Sequence, residues 1–221
     1  MSSAELREAR REARLEAALF ALAACGLLAL LAFTSMAAGW TLIGASWWVW
    51  LVLCTPELLL VSAFALGAPQ RVDRPLLFLV VAGNLCGLGL LLASLLTEKS
   101  DELSGGQLLL SGAVVWLTNV IVFGLIYWSL DAGGPMARAR HGRDVPDFWF
   151  PQDDNDRLAN RGWYPRLEDY TYVALTNGIA FSPTDAMPLT RWAKTFMATD
   201  AMISVGAVLL VAARAVNVLG A

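Results

Sequence analysis

Five long apolar runs constrain this chain more than any other feature. Leu19 to Met36 is almost entirely apolar, and Trp47 to Ala68, Leu76 to Leu96, Leu108 to Trp128 and Met202 to Val216 follow the same pattern. An α-helix rises about 1.5 Å per residue, so roughly 20 residues cross about 30 Å of hydrocarbon. Four runs reach that length as they stand. The fifth reaches it when extended back to Trp192, which brings in Lys194 and Asp200. The composition agrees: 57% of residues are hydrophobic and 16% charged, against about 45–50% and about 25% in soluble domains. A soluble bundle needs polar helix faces that these segments lack. The acidic residues before the first run, with no clean small-residue cleavage site, argue against a signal peptide on a secreted soluble domain. The expected fold is an all-α integral membrane protein of about five transmembrane helices, near residues 17–38, 45–67, 75–96, 106–130 and 193–217.

Three regions follow from this reading. Residues 1–16 form a charged N-terminal helix. Residues 17–104 hold three spans. Residues 105–221 hold an outer span, a long polar loop, a short helix and loop, and the final span. Pro69 and Pro75 mark the limits of the connection between the second and third spans, and Gly105-Gly106 precedes the fourth. Within the spans, Pro56 removes one helix donor and predicts a kink. Glu57, Asn84, Asn119 and Asp200 are intramembrane polar residues. A carboxylate at that depth is a functional candidate by default, while the structural alternative is that such groups join helices. For Glu57 that alternative is a bond to Thr55 or to backbone freed near the proline. Cys25, Cys54 and Cys86 all fall in spans and read as apolar filler. With no C-x-x-C pair and a single histidine, His141, neither a metal site nor a cofactor is expected.

The segment from Asp131 to Arg191 differs. Its aromatics, Phe148, Trp149, Phe150, Trp163 and Tyr164, suit a membrane interface, as do Trp40, Trp47, Trp48, Trp50, Trp128 and Trp192. The acidic run Gln152 to Asp156 lacks EF-hand spacing and reads as a solvated loop. Glu168 to Asn177 predicts a helix of about two turns with acidic residues at its start, where they suit the helix dipole. Ser182-Pro183 resists helix continuation. A short helix, a non-helical polar stretch and a full span together suggest a re-entrant loop, which is tolerated at depth only where protein or a water-filled cavity surrounds it.

On these residues the C-terminal half, roughly Leu108 to Val218, resembles the pore module of tetrameric potassium-channel-like cation channels. The filter place falls on Ala180-Phe181-Ser182-Pro183-Thr184, followed by Asp185. Pro188-Leu189-Thr190 matches the family's stretch after the filter. The resemblance implies that Thr176, Asn177, Ala180, Phe181, Ser182, Pro183, Thr184 and Asp185 are filter-like or pore-lining, in a homotetramer passing monovalent cations. A potassium filter stacks backbone carbonyls and uses glycines where other residues are strained. Here Ser182 and Thr184 take the glycine places and Pro183 the tyrosine place, so the usual potassium filter is not expected. Hydroxyls of Ser182 and Thr184 with Asp185 would line a wider cation path; alternatively, Phe181 and Pro183 would close the axis. The run Asn177-x-x-Ala180-Phe181-Ser182-Pro183-Thr184-Asp185 also resembles the signature of an uncharacterised bacterial multi-span membrane-protein family, which implies kinship without an activity.

Charge placement sets the expected topology. Arg7, Arg10, Arg11 and Arg14 precede the first span, Arg71 and Arg74 follow the second, and six arginines from Arg138 to Arg166 follow the fourth. Positive-inside reasoning puts the N-terminus and the long connection in the cytoplasm of a multi-pass inner or plasma membrane protein. A pore loop there enters from the cytoplasmic side. The leading expectation is a pore-forming membrane protein, in particular a cation channel with an atypical filter-like segment. The alternatives are a non-conducting scaffold or sensor, and a small ion-coupled transporter using Glu57, Asn84, Asn119 and Asp200. Enzyme motifs are missing: there is no Ser-x-x-Lys, His-Glu-x-x-His or phosphate-binding glycine loop. A net charge of −3 gives no support for nucleic-acid binding. Membrane lipids are the expected surroundings, and the basic patch around His141 suits anionic headgroups.

Overall fold

The structure, a computed structural model, describes residues 3–41, 46–67, 70–96, 104–135, 137–138, 145–154, 163–180 and 186–219. Six long helices make up most of it: α1 (Ser3–Ala38), α2 (Trp48–Leu66), α3 (Gln70–Leu96), α4 (Gly105–Leu130), α5 (Leu167–Ala180) and α6 (Arg191–Leu219). Two short strands, β1 (Phe148–Trp149) and β2 (Met187–Pro188), pair antiparallel, with Phe148 opposite Pro188 and Trp149 opposite Met187. Three stretches, Arg11–Ala38, Trp48–Leu66 and Gly105–Gly133, are long and apolar enough to cross a membrane, and Pro75–Leu90 is a shorter apolar one. The chain is thus an all-α membrane protein.

Local chemistry sets the helix ends. Ser104 opens α4 with a reciprocal cap: its hydroxyl accepts from the Gln107 N–H, and the Gln107 side chain accepts from the Ser104 N–H. The cap places Gly105 and Gly106 inside the first turn. Gly67 closes α2 in the left-handed conformation (φ 76°), its N–H turned back to the carbonyls of Ala63 and Phe64. In the middle of α2 the helix continues through Pro56. Helix α3 begins five residues before Pro75, so this proline lies inside the helix instead of limiting the connection. Pro69 lies outside the described residues. The charged N-terminal segment and the first span form one continuous helix.

Side-chain contacts fix the directions. Cys54 of α2 donates to the Cys25 carbonyl of α1, and a Cβ on Gly67 would meet the Arg14 guanidinium. The two helices therefore form an antiparallel hairpin. Phe64 meets Trp128 edge-on at 6.4 Å, aligning α2 with α4. Phe78 and Phe196 lie 5.8 Å apart, aligning α3 with α6. The starts of α1, α3, α5 and α6 therefore share one end of the bundle with the finishes of α2 and α4. Among the described residues, Arg11, Arg14, Arg138, Arg166 and Arg191 lie at that basal end.

Helix α4 is the axis of the fold. It is buried along nearly all of 118–129, whereas α2 turns Leu51, Val52, Leu58 and Leu59 outward. Apolar residues outside and inside suit a lipid solvent. One core cluster joins Leu60, Phe64, Phe123, Tyr127, Phe148, Tyr170 and Ala193. A second, towards the opposite end, joins Leu28, Leu31, Trp40, Trp50 and Leu108. Trp40 and Trp50 are therefore interior residues, while Trp47 and Trp48 are exposed and remain suited to an interface. Cys25 and Cys54 are buried as expected, but Cys86 is exposed, because it falls on the outward face of α3.

Gly124 lets α5 press against α4. A Cβ there would stand 2.6 Å from the Thr171 hydroxyl and 2.8 Å from its Cα. The obstacle includes backbone, so α5 itself must move. Gly124→Ala is expected to lower the unfolding free energy in detergent by about 1–3 kcal/mol, read from its chemical-denaturation midpoint. A midpoint equal to wild type would show that α5 does not seat at this depth.

Candidate functional site

Helix α5 runs fourteen residues, to Ala180, and is longer than the two turns expected from Glu168 to Asn177. Glu168 and Asp169 sit in its first turn, and the Arg166 N–H donates to the Asp169 carboxylate at 2.7 Å. At its start, the Tyr170 hydroxyl reaches Asp131 at the finish of α4. Towards its end, a Cβ on Gly178 would lie 2.8 Å from the Ser204 hydroxyl of α6 and 3.4 Å from Trp116 Nε1 of α4. Thus α5 descends from the basal end into the bundle, antiparallel to α4 and parallel to α6. After α5, the chain reappears at the basal end: β2 pairs with β1, and the Leu189 N–H donates to the Asp147 carbonyl at 2.8 Å.

A polar cluster fixes the depth of α5. Asp200 of α6 is completely buried. Its Oδ1 accepts from Asn119 Nδ2 at 2.7 Å. Its Oδ2 accepts from Asn177 Nδ2 at 2.9 Å and from the Tyr127 hydroxyl at 3.1 Å. Asn177 also donates to the Met197 carbonyl at 2.8 Å, and Asn119 to the Ser204 hydroxyl at 3.2 Å. One carboxylate thus gathers donors from α4 and α5 onto α6. Of the polar residues singled out in the sequence, Asn119, Asn177 and Asp200 come together here.

The remaining positions are placed differently. Thr176 is half-buried on α5, with its hydroxyl donating to the Tyr172 carbonyl at 2.9 Å. Ala180 is the last residue of α5. Phe181, Ser182, Pro183, Thr184 and Asp185 lie outside the described residues. Glu57 and Asn84 are buried on α2 and α3, and no hydrogen bond among the described residues ties either to the Asp200 cluster. Thr55 donates to Leu51, and Glu57 Oε2 has no hydrogen-bond partner among them. Trp116 Nε1, Thr118 Oγ1 and Asn119 Oδ1 are also buried without a partner. Trp116 and Asn119 flank the deep part of α5.

The expectation of an interfacial, solvated loop needs correction at its aromatic residues. Phe148 and Phe150 are core residues. Phe148 packs on Tyr127 (4.9 Å), Tyr170 (6.1 Å) and Trp192 (5.9 Å), and Phe150 on Trp163 and Tyr170. A second polar network holds them there. Asp131, fully buried, accepts from the backbone N–H groups of Asp147 (2.7 Å) and Phe148 (3.1 Å) and from Tyr170. Arg138 donates to the Trp128 and Asp131 carbonyls at 2.9 and 2.7 Å, capping α4. Its guanidinium also lies over the Tyr170 ring at 5.3 Å. Asp147 accepts from the Ala132 N–H at 3.0 Å and from the Trp192 indole at 2.7 Å. The sequence reading missed Asp131, Arg138 and Asp147. Their only local signal was the Asp131 and Gly133-Gly134 turn ending a long helix. No group of three or more His, Cys, Asp or Glu side chains suited to a metal occurs among the described residues.

No family model, curated protein or solved structure matches this chain.

Proposed function

We propose that the protein forms a cation-conducting pore across a cell inner or plasma membrane, with α4 as outer helix, α5 as a half-length pore helix and α6 as inner helix in each of four subunits. The observation that carries this reading is that α5 enters and the chain leaves at the same end of the bundle. A fourteen-residue helix is about 20 Å long, too short to cross, and six peptide steps from Ala180 to Ala186 reach at most about 21 Å. The reading assigns the stretch 181–185 to the return path, as in a re-entrant loop. Such backbone at depth requires surrounding protein or water, and the unpartnered Trp116 and Asn119 atoms fit a polar interior. The carbonyl end of α5 carries the negative pole of its dipole, which favours cations where Ser182, Thr184 and Asp185 would line the path. The full reading has five spans, and the arginine-rich end faces the cytoplasm, so the loop enters from that side. One such loop cannot enclose an axis, hence the tetramer.

Planar-bilayer recording of the purified protein tests this. Cation-selective current is expected, and Asp185→Asn is expected to reduce it several-fold without changing the oligomer, because a ring of four carboxylates attracts cations. Intact tetramers silent to sodium, potassium and calcium would overturn the reading.

A second reading, a small ion-coupled transporter, is favoured by Glu57, whose 1% exposure and unpartnered oxygen suit a proton- or ion-carrying carboxylate. Under that reading Glu57→Gln abolishes coupled uptake and bilayers stay silent.

A further inference from the structure

We propose that the basal ends of α1 and α2 form a binding site for one anionic phospholipid. A cavity of about 470 Å³ lies there, lined by Arg11, Arg14 and Leu15 of α1 and by Phe64, Leu66 and Gly67 at the finish of α2. The wall is divided by chemistry. Arg11 and Arg14 are one turn apart on one helix face and present guanidinium groups, whose planar donors match phosphate oxygens. Leu66 is 87% exposed and Leu15 52%, and Leu19, one turn further into the bundle, is 65% exposed. Together they give an apolar track that runs inward from the arginines.

One of the two arginines is fixed by its neighbour. The Arg14 guanidinium lies against Gly67, where a Cβ would collide with its Nη1. Gly67 has φ +76° and opens the space that a side chain would fill. Phosphate recognition alone would serve a free anion equally well. The continuous leucine track commits the site to a lipid, with phosphate at the arginines and an acyl chain along Leu15, Leu19 and Leu66. The site does not depend on whether the protein conducts ions.

Titration of the full-length protein in nonionic detergent with phosphatidylglycerol or phosphatidylcholine, counting bound lipid by native mass spectrometry, tests the proposal. One phosphatidylglycerol is expected to be retained in preference to phosphatidylcholine. Each basic residue near an anionic lipid is worth about a fivefold change in affinity, so R11Q weakens retention about fivefold and R11Q/R14Q about 25-fold. Arg11 is exposed, so R11Q reports on binding without disturbing the packing around Gly67. R191Q, exposed at the same end on α6, leaves retention unchanged and excludes a diffuse charge effect. Equal retention of the two lipids, wild-type binding by R11Q, or an equal loss in R191Q would overturn the site. Displacement of the lipid by millimolar inorganic phosphate would also overturn it, by showing an anion site with no part played by the apolar track.

Discussion

Asp200→Ala is expected to destabilise the folded protein by about 2–4 kcal/mol. The substitution removes the shared acceptor of Asn119, Asn177 and Tyr127 and leaves three donors in a region closed to solvent. In water-soluble proteins each orphaned buried donor costs about 1–3 kcal/mol. Interhelical hydrogen bonds within bilayers average nearer 0.6 kcal/mol, with a maximum of about 1.7, because the membrane-inserted reference state also finds partners. Three such losses in one cluster, nearer the bilayer average than its maximum, give the range above. Asp200→Asn keeps an acceptor but turns an amide donor against the other donors, so it should fall between alanine and wild type. Denaturation of the purified protein followed by tryptophan fluorescence measures both. An alanine variant within about 0.5 kcal/mol of wild type would mean that the carboxylate does not hold α4, α5 and α6 together.

Asp131→Ala is expected to cost about 3–5 kcal/mol and to release the segment around β1. Here the group removed has a cation beside it. Arg138 approaches Asp131 Oδ2 at 4.0 Å with both side chains buried, and removing one partner of a buried pair leaves the other charge uncompensated. Arg138 keeps the Trp128 and Asp131 carbonyls as acceptors, which holds the effect within that range. The backbone N–H groups of Asp147 and Phe148 would also lose their acceptor. Phe148 and Phe150 should then leave the core, and limited proteolysis within residues 145–154 should accelerate about tenfold or more. A variant that unfolds at the wild-type midpoint and resists protease equally would show that Asp131 does not anchor the segment.

Three of the expected spans were legible because lipid demands long uninterrupted apolar helices, as in Leu19–Met36 and Leu108–Trp128. Asn119, Asn177 and Asp200 were visible one at a time as polar residues in apolar surroundings, but nothing local announces that residues eighty positions apart share one carboxylate. The aromatic segment misled for a physical reason. Phe148 and Phe150 have the same composition whether they face headgroups or a core, and the choice is made by Asp131, Asp147 and Arg138, whose bonds are set by tertiary geometry. Helix α5 outran its expected length because the Asn177 amide and the small Gly178 let it continue against α6.

The Trp192 indole bound to Asp147, with β2 paired to β1, ties the beginning of the last helix to a segment made some forty residues earlier. Both acceptors of the Asn177 amide, the Met197 carbonyl and the Asp200 carboxylate, also come from α6. During synthesis, then, the start of α5 can settle on α4, but its far end is not fixed until the final helix has emerged and inserted. Assembly of this half of the molecule is therefore a late event, waiting on the last of the described helices. Nascent chains stalled before Asp200 should present the far end of α5 to protease, and chains extended past residue 219 should not.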